Sequence, residues 1–194
     1  GDAADVIDLL REEQGLAAGD RRMPRAATLV DIYSRTVNAQ RPLSEVLAES
    51  HPWCAEHLEA IAALFRAYTA AKRRLGVLDL DDLLLYWRAL AEDAGAGARL
   101  AATWDHVLVD EYQDVNGLQA AIVAALVREH RGLTCVGDDL QAIYGFRAAS
   151  PEHMLRFRER HPDAAVITLE QSYRSTAQIL AVANVAAHAA ATPY

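Results

Sequence analysis

The run of residues with the clearest chemical potential is HVLVDEYQDVNG (106–117), in which an apolar stretch ends in three acids. A carboxylate at the end of a strand, such as Asp110, can hold Mg²⁺, often through a water. A carboxylate beside it, such as Glu111, can orient or deprotonate an attacking water. Asp114 stands where a helix beginning near Asn116 needs an N-terminal cap, and the cap is favoured there over catalysis. The run is therefore either a solvated strand end or a metal and water site, with a helix cap behind it.

Two further runs place phosphate-binding and base-stacking side chains after apolar stretches, GDDLQAIYGFR (137–147) and EQSYRST (170–176). Gln141 can hydrogen-bond a phosphate oxygen or the attacking water. Arg174 can neutralise charge as a terminal phosphate leaves, and Tyr173 offers a flat ring for a base. Tyr144, Phe146 and Arg147 together are typical of a stacking platform for single-stranded nucleic acid.

The elements that must position these residues change character along the chain. Residues 3–93 predict helix after helix; one spans 58–76, with Lys72 in its last turn and Gly76 as C-cap, and the next spans 78–93, capped by Asp79 or Asp81. Beyond residue 104 strands and helices alternate, with strands predicted at 106–110, 133–138 and 164–170, and helices at 118–130, 150–161 and 176–190.

This alternation predicts an α/β fold with a parallel sheet, preceded by an all-helical part. Because parallel strands have their carboxyl ends at one edge, the polar runs after all three strands are expected to meet there. Each run alone has an ordinary interpretation as a solvated loop, a surface ion pair or partly buried packing. Their joint placement at one edge favours a single site.

Composition limits the class of protein. The chain is 52% hydrophobic and 24% charged, as in a soluble globular protein, and it has neither a membrane-spanning apolar run nor a secretory signal pattern. Its two distant cysteines favour a reducing, cytoplasmic setting. A net charge of −8 disfavours nucleic acid, but the locally basic stretches 19–41 and 146–160 leave that partner open.

Four segments carry a family resemblance. VLVDEYQDVNGLQ, VGDDLQAIYGFRAA and ITLEQSYRST resemble motifs II, III and IV of the UvrD/Rep/PcrA-type superfamily 1 DNA helicases, and LDLDDLL resembles an element that precedes motif II there. Phe146 replaces a more usual Trp, Tyr112 a commoner Phe, and Leu140 a frequent third acid.

The resemblance implies a RecA-like P-loop NTPase motor that uses ATP and Mg²⁺ to move 3′ to 5′ on single-stranded DNA and separate duplex DNA, in repair or replication. It assigns Asp110 to Mg²⁺, Glu111 to the hydrolytic base, Gln141 and Arg174 to the γ-phosphate, and Tyr173 to the nucleotide base. Tyr144, Phe146 and Arg147 would bind the single strand. Repair proteins or a nuclease are the partners it suggests.

The domain organisation implied by the resemblance is a helical insertion at 1–77, the C-terminal part of the first motor domain at 78–164, and the start of the second at 165–194. The 194 residues contain no G-x-x-x-x-G-K-[ST] phosphate-binding loop, so the chain is expected to be a helicase fragment that is inactive alone. Two alternatives stay open: a degenerate DNA-binding motor module of a helicase–nuclease complex, and a small Mg²⁺-dependent phosphohydrolase.

Overall fold

The computed structural model describes residues 2–16, 23–128 and 132–189, without the side chains of Arg147 and His188. The first half of the chain is helical, as predicted. Its helices are Asp2–Glu13 (α1), Ala26–Ala39 (α2), Leu43–Ser50 (α3), Leu58–Leu75 (α4), Leu80–Glu92 (α5) and Ala96–Ala101 (α6), with a 3₁₀ turn at Pro52–His57.

Among the described residues, the second half contains two short strands, Val107–Val109 (β1) and Leu133–Cys135 (β2), and four helices. These helices are Gly117–Leu126 (α7), Glu152–Leu155 (α8), Phe157–Arg160 (α9) and Ala177–Ala189 (α10). Further 3₁₀ turns lie at Tyr112–Asp114, Asp139–Gln141 and Gly145–Arg147.

Helices α4 and α5 show why the helical prediction holds. Apolar residues of α4 recur at helical spacing and are buried, and Gly76, at φ +65°, ends the helix by donating its N–H to the carbonyls of Arg73 and Lys72. Asp79 caps α5 in a capping box, because its side chain accepts from the Asp82 amide while the Asp82 side chain accepts from the Asp79 amide.

The main core lies within the helical half. Helices α1 to α4 bury their apolar faces against one another around Ile7, Leu29, Ile32, Ile61 and Leu64, all of which have no exposed surface. A smaller cluster around Tyr112, Val115 and Ala120 lies beneath the strands. Helix α5 packs against α7, which joins the helical half to the strand-containing half.

The sheet is parallel but smaller than predicted. Within the described residues it has two strands, paired Val107 with Leu133 and Val109 with Cys135. The strand predicted at 164–170 is wrong: this segment has no regular structure, and Ile167 and Leu169 are 80% and 83% exposed. A strand is stabilised by pairing and by burial of one face, and here neither is present.

Two helix predictions also need correction. The helix predicted at 150–161 is broken into α8 and α9 at Arg156. The helix predicted at 118–130 ends at Leu126, and residues 129–131 lie outside the described part of the chain. No helix among the described residues is both long enough and apolar enough to cross a membrane.

Candidate nucleotide and nucleic-acid site

The carboxyl ends of β1 and β2 lie side by side, as predicted for the first two polar runs. The Val136 amide donates to the Val109 carbonyl at 2.8 Å, and the Tyr112 amide donates to the Val136 carbonyl at 2.9 Å. These bonds extend the ladder past the last residues of both strands. The segment 110–114, called the acidic segment below, therefore leaves the sheet beside residues 136–141.

A chain of hydrogen bonds connects the two runs. Gln113 donates from Nε2 to Glu111 Oε2 at 2.7 Å, and its Oε1 accepts from the Asp138 amide at 3.0 Å. Asp138 in turn accepts from Gln141 Nε2 at 2.7 Å through Oδ2. Glu111 and Gln141, which the sequence placed in one site, are therefore linked through the side chain of Gln113 and through both the main-chain amide and the side chain of Asp138.

Glu111 lies in the left-handed backbone region, at φ +50°. This conformation is costly for a residue with a side chain, by roughly 1–2 kcal/mol, and persists only where surrounding contacts enforce it. The flanking hydrogen bonds provide that enforcement: the Asp114 amide donates to the Glu111 carbonyl at 2.9 Å, and the Glu111 amide donates to Asp110 Oδ1 at 3.0 Å.

Gln113 and Gly137 are components of this network that the sequence analysis did not identify. Gln113 is 1% exposed, so its amide is a buried connector between the two segments. A Cβ at Gly137 would lie 2.5 Å from Gln113 Oε1 and 3.1 Å from the Tyr112 amide nitrogen. Only glycine leaves room for the connector, and the sequence gives no sign of this because the contact is tertiary.

Asp110 is exposed at the end of β1, where a metal ion bound to a nucleotide would be reachable. Within the described ranges, no group of three or more His, Cys, Asp or Glu side chains is arranged to hold a metal ion. Mg²⁺ is usually held by one or two carboxylates together with phosphate oxygens and waters. An exposed carboxylate at this position therefore fits Mg²⁺ carried with a nucleotide, and does not need an all-protein cage.

Asp114 is not the helix cap that the sequence predicted. Asn116 caps α7, because its side chain accepts from the Gln119 amide and the Gln119 side chain accepts from the Asn116 amide. Asp114 instead ends the 3₁₀ turn, and its Oδ1 is buried with no hydrogen-bond partner in the described structure. Asp and Asn are both favourable N-cap residues, so residue type does not distinguish Asp114 from Asn116. The start of α7 depends instead on where the preceding turn leaves the sheet.

The environment of the acidic segment is apolar on its inner side. Tyr112 is 4% exposed and meets the Phe157 ring edge-on, with centroids 5.7 Å apart. Burial raises the pKa of the Tyr112 phenol, and burial also raises the pKa of the Cys135 thiol to about 11. Both groups are therefore neutral, and they belong to the apolar cluster on the inner side of the acidic segment.

Tyr144 and Phe146 lie on residues 142–148, called the aromatic loop below. Their ring centroids are 5.8 Å apart at 48°, and the side chains are 36% and 59% exposed. The two rings are therefore neighbours and open to solvent, and their role as a stacking platform for single-stranded nucleic acid stays a prediction. The side chain of Arg147, the third predicted member, lies outside the described residues.

Tyr173 and Arg174 are not brought into this network. Both are exposed, Tyr173 by 89%, on the segment that follows the strand predicted at 164–170. Because that strand does not form, the reason for expecting these side chains at the same edge is removed. The structure thus unites two of the three predicted polar runs.

Comparison with known proteins agrees with the family resemblance that the sequence motifs carry. A profile of the UvrD/REP helicase N-terminal domain matches residues 6–162. The chain belongs to this family.

Individual relatives are similar over long stretches. The chain is 44% identical over 128 residues to the ATP-dependent DNA helicase UvrD2 of Mycobacterium tuberculosis, covering 64% of this chain and 18% of the relative. It is 33% identical over 189 residues to the ATP-dependent DNA helicase Rep of Escherichia coli, covering 95% of this chain and 27% of the relative. The PcrA helicase of Leuconostoc citreum is 39% identical over 127 residues, which cover 65% of this chain and 17% of that protein. The chain thus spans about a sixth to about a quarter of the length of these relatives.

Proposed function

We propose that this chain is part of an ATP-dependent DNA helicase that moves 3′ to 5′ on single-stranded DNA and separates duplex DNA in the cytoplasm. The relatives named as ATP-dependent DNA helicases support the class of activity. In this proposal residues 1–77 form a helical insertion, 78–164 the C-terminal part of a RecA-like motor domain, and 165–194 the start of a second one. The direction of movement rests on the family resemblance.

The observation that carries the proposal is the hydrogen-bonded path from Glu111 through Gln113 and Asp138 to Gln141. Gln141 lies three residues before Tyr144, the first ring of the aromatic loop. Hydrogen-bonded networks can pass a change at one site to another when the elements have two arrangements. A nucleotide at the acidic segment and DNA at the aromatic loop would therefore share one connected structure.

The proposed roles follow from the chemistry of each group. Mg²⁺ bound with ATP would supply charge neutralisation at the phosphates, and Asp110 would hold it. Glu111 would accept a proton from the attacking water, and Gln141 would hydrogen-bond the γ-phosphate or that water. Arg174 and Tyr173 would contact the γ-phosphate and the base only after their segment approaches this edge.

The 194-residue chain by itself is expected not to hydrolyse ATP. Its sequence has no glycine-rich loop with a lysine to cradle the β- and γ-phosphates, so Asp110 and Glu111 have little bound nucleotide on which to act. The measurement is phosphate release with and without single-stranded DNA. Robust DNA-stimulated hydrolysis by these residues alone would contradict the expectation.

The DNA-binding part of the proposal is tested by Phe146→Ala. Loss of one stacking ring is expected to weaken binding of a fluorescein-labelled oligothymidine by about 1–3 kcal/mol, or about 5- to 150-fold in Kd. The measurement is fluorescence anisotropy at fixed salt.

The matched control is Trp53→Ala. Trp53 is also an exposed ring, at 49%, but it lies on the 3₁₀ turn before α4. Its removal should leave the affinity unchanged. An unaltered Kd for Phe146→Ala, or equal losses in both variants, would show that the aromatic loop is not the platform.

A further inference from the structure

Helix α2 of the helical half reaches the aromatic loop directly. Arg35 donates from Nη2 to the carbonyl oxygen of Phe146 at 3.0 Å. The contact joins residues 111 positions apart, and it holds the backbone of the residue that carries the more exposed ring. Hydrogen bonds from a charged donor are stronger than neutral ones. The orientation of Phe146 therefore depends on a side chain outside the loop.

The same helix is anchored to the acidic side of the site through Asn38. Asn38 is 8% exposed, and its Nδ2 donates to Asp81 Oδ1 at 2.7 Å and to the Ser34 carbonyl at 2.9 Å. Its Oδ1 accepts from Asn116 Nδ2 at 3.2 Å, and Asn116 is the N-cap of α7. The cap that follows the acidic segment is thus fixed to α2 by a satisfied, buried polar network.

Close backbone packing at this junction leaves α2 little freedom to shift. A Cβ at Gly117 would lie 2.9 Å from the Ala39 carbonyl oxygen, so the end of α2 lies directly against the start of α7. On the other side, Asn116 forms an antiparallel bridge with Ala149, and the Ser150 amide donates to the Val115 carbonyl at 3.2 Å. The aromatic loop therefore returns to the same junction at its far end.

Arg35 and Asn38 are three residues apart and share one face of α2. We propose that α2 is a positioning element for the DNA platform, in which Arg35 sets the orientation of Phe146 while Asn38 holds the helix to the start of α7. One rigid helix then sets the spacing between the rings and the acidic segment. This inference rests on the proposed function, because it assigns a role to Arg35 only if Phe146 binds DNA.

Arg35→Gln tests the inference in the 194-residue chain. The variant is expected to bind the labelled oligothymidine about three- to tenfold more weakly, as for the net loss of about one hydrogen bond. In the Phe146→Ala background the same change should have no further effect, since a positioning residue acts only through the ring. Hydrogen–deuterium exchange of peptides covering 142–148 should become faster without any DNA present.

Salt dependence separates positioning from direct phosphate contact. If Arg35 acts through Phe146, the slope of log affinity against log salt concentration should be the same in the wild type and in Arg35→Gln. If Arg35 binds a phosphate itself, the slope should fall by about 0.7 and the loss should persist in the Phe146→Ala background. That result would overturn the inference.

Arg41→Gln is the matched control, because it removes an equal charge just beyond the end of α2. Arg41 pairs with Glu45 and Glu49 on α3, and none of these lies on the aromatic loop. The Arg41→Gln variant should leave unchanged both the affinity for the labelled oligothymidine and the hydrogen–deuterium exchange of peptides covering 142–148. If Phe146→Ala weakens binding but Arg35→Gln behaves like Arg41→Gln, the positioning role of Arg35 is refuted while the proposed DNA platform stands. If Phe146→Ala has no effect, the proposed DNA platform fails, and the inference fails with it.

Discussion

Glu111→Gln is expected to lower ATP turnover by about two to four orders of magnitude in a protein that carries this chain behind a phosphate-binding loop. Glutamine keeps the size of the side chain and an oxygen that can accept from Gln113, whose Nε2 lies 2.7 Å from Glu111 Oε2. What it removes is the basic carboxylate. Nucleotide binding, measured with a fluorescent ATP analogue, should therefore be largely unchanged while phosphate release falls.

Glu152→Gln provides the control for this change. Glu152 is an exposed carboxylate at the start of α8, and the same substitution there should leave turnover intact. Unchanged turnover in Glu111→Gln would refute the base role. Loss of nucleotide binding together with turnover would instead assign Glu111 a structural role, through its left-handed turn.

Lys72→Met is expected to lower the free energy of unfolding by about 3 kcal/mol, because it leaves two carboxylates at a buried position without their cation. Lys72 is 5% exposed, and its Nζ lies 2.6 Å from both Asp79 Oδ2 and Asp82 Oδ2. The same ammonium lies 4.7 Å from the centre of the Tyr68 ring and 5.1 Å from that of Tyr33. Urea denaturation at pH 7 measures the loss.

The pH dependence of the free energy of unfolding follows from the shifted pKa values of Asp79 and Lys72. Burial acts to raise the pKa of Asp79, but hydrogen bonds from Lys72, the Asp82 amide and Tyr68 outweigh it, so the pKa lies below its ordinary value of 3.8. A lowered carboxylate pKa stabilises the fold above the unfolded value, and this contribution is lost as the pH falls through the folded value. The difference between wild type and Lys72→Met should therefore shrink below about pH 4.

The contribution of Lys72 to stability changes with pH in the opposite direction from that of Asp79. Burial acts to lower the pKa of Lys72, yet hydrogen bonds to Asp79 and Asp82 raise it above its ordinary value of 10.5. Its contribution is thus complete at neutral pH and declines only as the pH rises beyond that ordinary value.

Arg73→Met is the matched control, since Arg73 is the exposed neighbour of Lys72 in the last turn of α4. It removes a favourable interaction with the helix dipole, which is worth about 0.3–1 kcal/mol. Equal destabilisation by both variants would show that the Lys72 ion pairs contribute nothing beyond that surface effect. Adding Asp79→Asn to Lys72→Met should recover part of the loss, because one of the unpaired charges is removed.

Features decided by a few neighbouring residues could be predicted from the sequence. Gly76 ends α4 and Asp79 begins α5 because caps depend on groups within four residues of each other. The side-by-side ends of β1 and β2 also followed, since a helix between two short apolar runs favours a parallel pair. Local rules also have limits, as the cap at Asn116 in place of Asp114 shows.

The helical half, the parallel strand pair and the polar residues that follow the two strands could all be predicted from residue periodicity and spacing. The tertiary structure decided that residues 164–170 do not pair, that Gln113 connects two segments, that Lys72 is buried among acids, and that Arg35 holds Phe146. The physical reason is common to all four. Pairing, burial and long-range hydrogen bonds depend on residues distant in the chain, whereas periodicity and capping depend on residues close to one another.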